Sequence, residues 1–227
     1  DTRTLEVPLT RWLAGWLGRS GIEAEDLVVD VVDHVGGGYS NVVLVVRLNY
    51  TTGGRMLARS LMVRLTPAGD ALFPTYDLAV QVSVQDLVRT GGVPVPEFVA
   101  LEEDPSWLGA PCLVMPWIEG HDLVELPAID EWLLSRPADE QERLQRKFLA
   151  ALADVHTCSW HDHPGTSRWR GAGAALEDEV AWWRDVATWS LDGEPSPEVA
   201  ELFDWCLDHC PGVAGEPGVL PGVLPGV

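Results

Sequence analysis

The stretch GGGYSNVVLVVRLNYTTGGRMLARSLMVRL, residues 36–65, decides the fold. Its two runs rich in valine and leucine, at 42–50 and 56–65, are typical of β-strands, and TTGG between them is typical of a turn. A further valine-rich run at 27–35 comes before the glycines. The sequence therefore predicts three antiparallel strands, with the GGGYSN segment at 36–41 joining the first two.

Helical patterns lie on both sides of this meander. Residues 8–18 place leucine and tryptophan side chains on one helical face and end at Gly18. Residues 76–89 predict a second helix that closes at Gly91 and Gly92. Its inward spacing includes one polar position, Gln85.

Two short strands are predicted after the second helix. Residues 93–101 carry two prolines and predict an edge strand, and 112–118 predict a short buried strand. Beyond residue 118 the apolar spacing is helical, and Ser196 is a predicted N-cap. Apolar residues recur at helical spacing in 139–157, two apolar stripes predict packing on two sides of 176–190, and a buried stripe of Val199, Phe203, Cys206 and Cys210 is expected in 196–209.

These elements predict an α+β fold of two lobes. The first lobe, residues 1–118, would be an antiparallel β-rich lobe with one helix, and residues 119–210 would form part of a helical lobe. Residues 211–227 repeat Pro-Gly-Val and predict a low-complexity tail.

Charge and composition exclude several classes of protein. Thirty-five acidic against fifteen basic residues give a formal charge of −20, which disfavours binding to nucleic-acid phosphates. No apolar run is long enough for a transmembrane helix, and the first thirty residues show no signal-peptide pattern. We therefore expect a cytoplasmic protein without membrane or nucleic-acid partners. A single lysine, Lys147, makes arginine the default cation of any binding site.

The four cysteines predict free thiols, because their spacing suggests no disulfide framework. The segment from His156 to His163 contains His and Cys side chains that could bind a metal. Its spacing lacks a matching Cys-x-x-Cys pair, however, so packing and surface histidines are the favoured interpretation.

The glycines at 36–38 have two interpretations. A Walker-type loop or a Rossmann fingerprint requires a helix after the glycines, whereas a strand follows here. A glycine hairpin between strands remains, and it either brings backbone N–H groups close to phosphates or is an ordinary tight turn.

The order of these pieces resembles the aminoglycoside phosphotransferase family, which has the protein-kinase-like fold. The resembling segments are listed here: GGGYSNVVLVVRL at 36–48, LMVRLTPAG at 61–69, LFPTYDLAVQ at 72–81, GGVPVPEFVALEEDP at 91–105, LGAPCLVMPWIEG at 108–120, LADVH at 152–156 and EVAWWRDVATW at 179–189. The resemblance covers about residues 8–210, and its most specific part is the block from VPVP to EG.

The resemblance implies transfer of the γ-phosphoryl group of ATP or GTP, with Mg²⁺, to a hydroxyl of a small molecule. Arg64 takes the place of the third-strand cation, and Gln81 or Asp77 that of its helix partner. Met115 and Trp117 belong to the connector that receives the base through main-chain groups, and the Trp117 ring either stacks on the base or caps the core. The residues implied to fold over the phosphates are Gly37, Gly38, Tyr39, Ser40 and Asn41.

The family's catalytic segment does not occur in this sequence. A His-Gly-Asp motif, whose Asp is the catalytic base, should follow the last helix together with an asparagine and a second Asp that hold the metal. Here Pro211 is followed by Pro-Gly-Val repeats. The resemblance therefore assigns no catalytic residue or metal ligand within these 227 residues, and we expect this chain alone to be inactive. The alternative is a non-catalytic module that binds a nucleotide or a protein.

The acidic side chains favour a cationic substrate among the small molecules that such enzymes phosphorylate. Twelve carboxylates lie between Glu97 and Glu142, opposed only by Arg136. A cleft of that sign would concentrate cations, and the alternative is a solvated acidic face that maintains solubility.

Overall fold

A computed structural model describes residues 5–35, 41–67, 71–121, 130–165, 167, 176–191, 193 and 195–210. The elements, in chain order, are α1 (Glu6–Arg19), β1 (Glu25–Val35), β2 (Val42–Thr52), β3 (Arg55–Leu65), α2 (Leu78–Thr90), β4 (Ala100–Glu102), β5 (Cys112–Pro116), α3 (Glu131–Leu134), α4 (Ala138–Thr157), α5 (Leu176–Ser190) and α6 (Pro197–Asp208).

The five strands form one antiparallel sheet in the order β1-β2-β3-β5-β4. The predicted meander is confirmed, because β1 pairs with β2 and β2 with β3. Gly53 and Gly54 form the β2–β3 turn with φ of 54° and 73°. This left-handed backbone is readily available to glycine and matches the twist of a tight hairpin.

One face of the sheet is covered by α1. Leu9, Trp12, Leu13 and Leu17 of this helix are buried against alternate residues of the strands. The Trp12 indole Nε1 donates a hydrogen bond of 2.8 Å to Glu102 Oε2 on β4. The helix is thus held at both the apolar core and the edge strand.

The opposite face of the sheet packs against α2. Leu78 is buried with Leu113 and Met115 of β5, and Met62 and Val82 extend this second cluster. The sheet therefore has an apolar layer on each side. Even-numbered positions of β3, such as Met62, place their side chains on the face that packs against α2.

The predicted strand at 93–101 is wrong over most of its length. Ala100–Glu102 pair with β5, and among residues 93–99 only Val99 bonds to β5, through its N–H to the Val114 carbonyl at 3.0 Å. Pro94 and Pro96 lack the N–H groups that a sheet ladder requires, so pairing begins only after both prolines.

The helices after the connector match their predicted ranges, but not their predicted burial. No side chain of α4 is buried, and Phe148 and Leu149 are 66% and 53% exposed. No side chain of α6 is buried either, although Ser196 caps it as predicted. The apolar spacing correctly predicted helices, whereas the buried stripe expected in α6 is wrong for the described chain.

The chain divides into two compact units. The first comprises Asp1–Asp70 and Asp77–His163, and the second comprises Ala71–Tyr76 and Pro164–Val227. Within the second unit, Phe73 lies beside two tryptophans of α5, Trp182 and Trp183. The proposed lobe boundary at residue 118 stays a prediction. Among the described helices, none has the length and apolar character needed to cross a membrane.

Candidate functional site

Arg64 lies on the face of the sheet that packs against α2. Side chains alternate along a strand, so Arg64 shares a face with Met62, which packs in the α2 cluster. Across the ladder Arg64 is paired with Leu113 on β5 and with Val43 on β2. Arg64 therefore lies on β3 with a paired strand on each side, β2 and β5.

The Arg64 side chain is half-buried and has no hydrogen bond or ion pair with any residue that the structure describes. A guanidinium carries five donors and stays charged at physiological pH. A partly desolvated guanidinium without a carboxylate partner is well suited to bind an anion such as a phosphate.

Asn41 lies at the same end of the sheet as Arg64. Asn41 immediately precedes β2, and the Val35–Val43 pair brings the two strand ends together next to the Val43–Arg64 pair. Gly37, Gly38, Tyr39 and Ser40 lie outside the described residues, so their predicted role over the phosphates stays a prediction.

Met115 and Trp117 lie toward the other end of β3. Met115 is buried opposite Met62, and the Trp117 backbone N–H donates a hydrogen bond of 2.9 Å to the Ser60 carbonyl. Trp117 therefore extends the pairing of β5 with β3 by one residue, and its backbone N–H is already engaged in a hydrogen bond to β3.

Pro116 occupies a position in this ladder that tolerates proline. Hydrogen-bonded and non-hydrogen-bonded pairs alternate between antiparallel strands. The bond from Trp117 to Ser60 makes that pair a hydrogen-bonded one, so the neighbouring Pro116–Leu61 pair is not. The Pro116 carbonyl consequently points away from β3.

The two candidate helix partners of Arg64 differ in what they do. Asp77 is the N-cap of α2, where its Oδ1 accepts a 2.9 Å hydrogen bond from the Val80 N–H. Gln81 Oε1 is buried and has no hydrogen-bond partner in the described chain. Gln81 forms no hydrogen bond with Arg64 in this structure, and their pairing stays a prediction.

No metal centre is visible in the part of the chain that the structure describes, since it contains no group of three or more His, Cys, Asp or Glu side chains able to hold an ion. That part includes the segment from His156 to His163. The His121 ring lies 3.0 Å from Asp130 and stacks on Trp132, and Asp130 also accepts a hydrogen bond from the Leu133 N–H.

Comparison with known proteins identifies the family. The model of the phosphotransferase enzyme family (APH) matches residues 32–220, which is most of the chain.

The chain belongs to the phosphotransferase enzyme family.

A crystal structure of a candidate aminoglycoside phosphotransferase from Ralstonia eutropha has a similar fold, with a TM-score of 0.55 at 20% sequence identity. The similarity covers 90% of this chain but 54% of that one, so this chain spans about half the length of its structural relative. The predicted α+β, protein-kinase-like fold and the predicted family are confirmed.

One polar residue near Met115 was not among the predicted site residues. Gln85 of α2 donates a 2.6 Å hydrogen bond from Nε2 to the Pro96 carbonyl and lies 3.5 Å from Met115 Sδ. The sequence carried one sign of it, a polar side chain at an inward position of a helix whose other inward residues, Leu78 and Val82, are apolar.

Proposed function

We propose that this phosphotransferase chain binds a nucleoside triphosphate against the α2 face of its sheet, as the nucleotide-binding part of an enzyme that phosphorylates a hydroxyl of a small molecule. The base would lie at residues 115–118, and the phosphates would extend along β3 toward Arg64 and residues 36–41. The observation that carries the proposal is the half-buried guanidinium of Arg64 on this face, which pairs with no residue that the structure describes.

The spacing along β3 supports this orientation. Ser60, which pairs with Trp117, lies four residues before Arg64. At about 3.3 Å per residue the two ends are about 13 Å apart, which separates a base-binding end from a phosphate-binding end.

At the phosphate end, Arg64 would act by charge and geometry. Its planar guanidinium can donate two parallel hydrogen bonds to one phosphate group. Phosphoryl transfer depends mainly on positioning and on neutralising phosphate charge, which is what a fixed cation supplies. Gln81 is the proposed neutral partner of this cation.

At the base end, the available main-chain group is the Pro116 carbonyl, which points away from β3 and could accept a hydrogen bond from an exocyclic amine. Adenine and guanine both carry such an amine, so this acceptor fits ATP and GTP alike. Because the Trp117 N–H is bonded to Ser60, Trp117 would contribute through its ring rather than its backbone.

Turnover would require groups that these residues do not provide. Among the described residues, no group of three or more His, Cys, Asp or Glu side chains could hold the magnesium ion that such a transfer uses. Nearly half of the structural relative has no counterpart in this chain. We therefore infer that the 227 residues bind a nucleotide without transferring its phosphate.

The substrate is proposed to be a small hydroxyl compound, and the acidic segment from Glu97 to Glu142 favours a cationic one. Several of its twelve carboxylates have partners within the chain instead, among them Glu140 and Glu142, which pair with Arg143 and Arg146. Glu102 accepts the Trp12 hydrogen bond, and Asp130 is 2% exposed and caps α3. The four free cysteines support a reducing compartment such as the cytoplasm.

The substitution Arg64→Gln tests the phosphate-binding end. We expect it to weaken MgATP binding at least about tenfold, because a charge-assisted hydrogen bond contributes about 1.5–3 kcal/mol. Isothermal titration calorimetry with MgATP measures the change.

Arg59→Gln is the matched control, since Arg59 lies on the same strand but on the other face, beside Tyr50. Equal MgATP affinities for the wild type and the Arg64 variant would contradict the proposal. If a longer form of the protein also binds MgATP but never releases ADP in the presence of hydroxyl substrates, the non-catalytic module is the better description.

A further inference from the structure

Gln85 is a polar residue in an otherwise apolar contact. It lies on α2 one turn after Val82 and two turns after Leu78, on the helix face that packs against β5. Burying an amide there is unfavourable unless its donors are satisfied, and a leucine would fill the same space without that requirement. The retained amide therefore needs a structural explanation.

The explanation lies in what the amide joins. Its Nε2 bonds to the Pro96 carbonyl at 2.6 Å and contacts Met115 Sδ at 3.5 Å. Pro96 belongs to the segment 93–99, whose described backbone bonds to neighbouring elements lie at its ends, from Val93 to Val88 of α2 and from Val99 to Val114 of β5. The Gln85 side chain thus links three separate parts of the chain: α2, this segment and the end of β5.

The linked groups are next to the proposed base site. Met115 immediately precedes Pro116, whose carbonyl points to the side of β5 away from β3. On that side β5 pairs with β4 as far as Ala100–Val114, the Val99 N–H also bonds to the Val114 carbonyl, and no described backbone N–H bonds to the Pro116 carbonyl. The segment held by Gln85 leads into β4 and therefore approaches the same end of β5.

We propose that Gln85 is a positioning residue for the nucleotide base. By fixing the Pro96 carbonyl and the Met115 side chain, it holds the base end of the site in a shape that leaves Pro116 accessible. The inference rests on the proposed function, and it adds a residue that acts on the base but not on the phosphates.

The test compares two probes, MgATP and magnesium tripolyphosphate, by calorimetry on the full chain. Tripolyphosphate has the phosphates without the base. Gln85→Leu removes both amide donors at similar volume, and we expect about tenfold weaker MgATP binding with unchanged tripolyphosphate binding.

Val82→Ala is the matched control, because it loosens the same α2–β5 contact without touching the hydrogen bond. It should leave the ratio of the two affinities as in the wild type. If Gln85→Leu does not fold by circular dichroism, Gln85→Glu tests the same donor loss with nearly the same shape.

An unchanged affinity ratio in the Gln85 variants overturns the inference, as does an equal change in Val82→Ala. If wild-type protein binds tripolyphosphate as tightly as MgATP, the base contributes nothing and the inference fails while the phosphate site stands. If the wild type binds neither probe, the proposed function itself fails.

Discussion

At the scale of single residues, Cys112 shows how burial controls chemistry. Its side chain is fully buried on β5, and desolvation, with a smaller contribution from the Glu102 carboxylate, raises the pKa of the Cys112 thiol to about 12. Burial disfavours the thiolate, which is the reactive form of cysteine. Cys112 is therefore chemically inert in the folded protein.

We expect iodoacetamide at pH 8 to leave Cys112 unmodified in the native chain and to modify it after denaturation. Mass spectrometry of the peptide containing residue 112 measures both states. The half-buried Cys158 serves as an internal comparison. Rapid labelling of Cys112 without unfolding would show that β5 is less protected than its burial indicates.

Arg64 and Gln85 illustrate what sequence can and cannot predict about a site. Strand alternation and family resemblance were enough to select Arg64 as a candidate. The hydrogen bond of Gln85 joins residues eleven positions apart, and its contact with Met115 joins residues thirty positions apart. Neither contact has a local sequence pattern, because both depend on how α2 is placed on the sheet.

At the scale of elements, strand and helix bounds followed closely from local chemistry. The predicted strand at 42–50 is β2, Val42–Thr52, and the predicted helix at 139–157 is α4, Ala138–Thr157. Burial was harder to predict. The apolar spacing of α4 shows that it is amphipathic, but no local signal states whether its apolar side has a neighbour.

Two substitutions test this difference in side-chain burial between β5 and α4. Leu113→Ala on β5 should cost about 2–5 kcal/mol of unfolding free energy, because the side chain is 1% exposed and its removal leaves a cavity. Phe148→Ala on α4 should change it by about 0.5 kcal/mol or less, since Phe148 is largely exposed and alanine favours helix.

Urea denaturation followed by circular dichroism gives both values. A large loss from Phe148→Ala would mean that α4 has a packing partner in solution. A small loss from Leu113→Ala would contradict the central place of β5 in the sheet.

At the scale of the whole molecule, the charge of −20 is the dominant property. Like charges repel one another in the compact state, and dissolved salt screens them, with a Debye length of about 30 Å at 0.01 M and 10 Å at 0.1 M. Described ion pairs such as Arg146–Glu142 and Arg184–Asp204 involve exposed or partly exposed side chains. They therefore add little stabilising free energy to offset this repulsion.

We therefore expect the melting temperature to rise between 10 mM and 300 mM KCl. Differential scanning fluorimetry in a constant buffer measures the shift, and an uncharged osmolyte at matched osmolarity is the control for solvent effects. A melting temperature that falls with KCl would mean that favourable ion pairs outweigh the net repulsion.

The hydrogen bond from Trp12 to Glu102 has a consequence for anyone shortening this protein. The family match begins at residue 32, inside β1, so a truncation there would discard α1 and seven residues of the strand. The leucines of α1 would no longer shield the sheet, and Glu102 would lose its indole donor. A fragment trimmed to the family's limits would thus expose one side of its sheet to water, and it should be expressed with residues 6–31 retained.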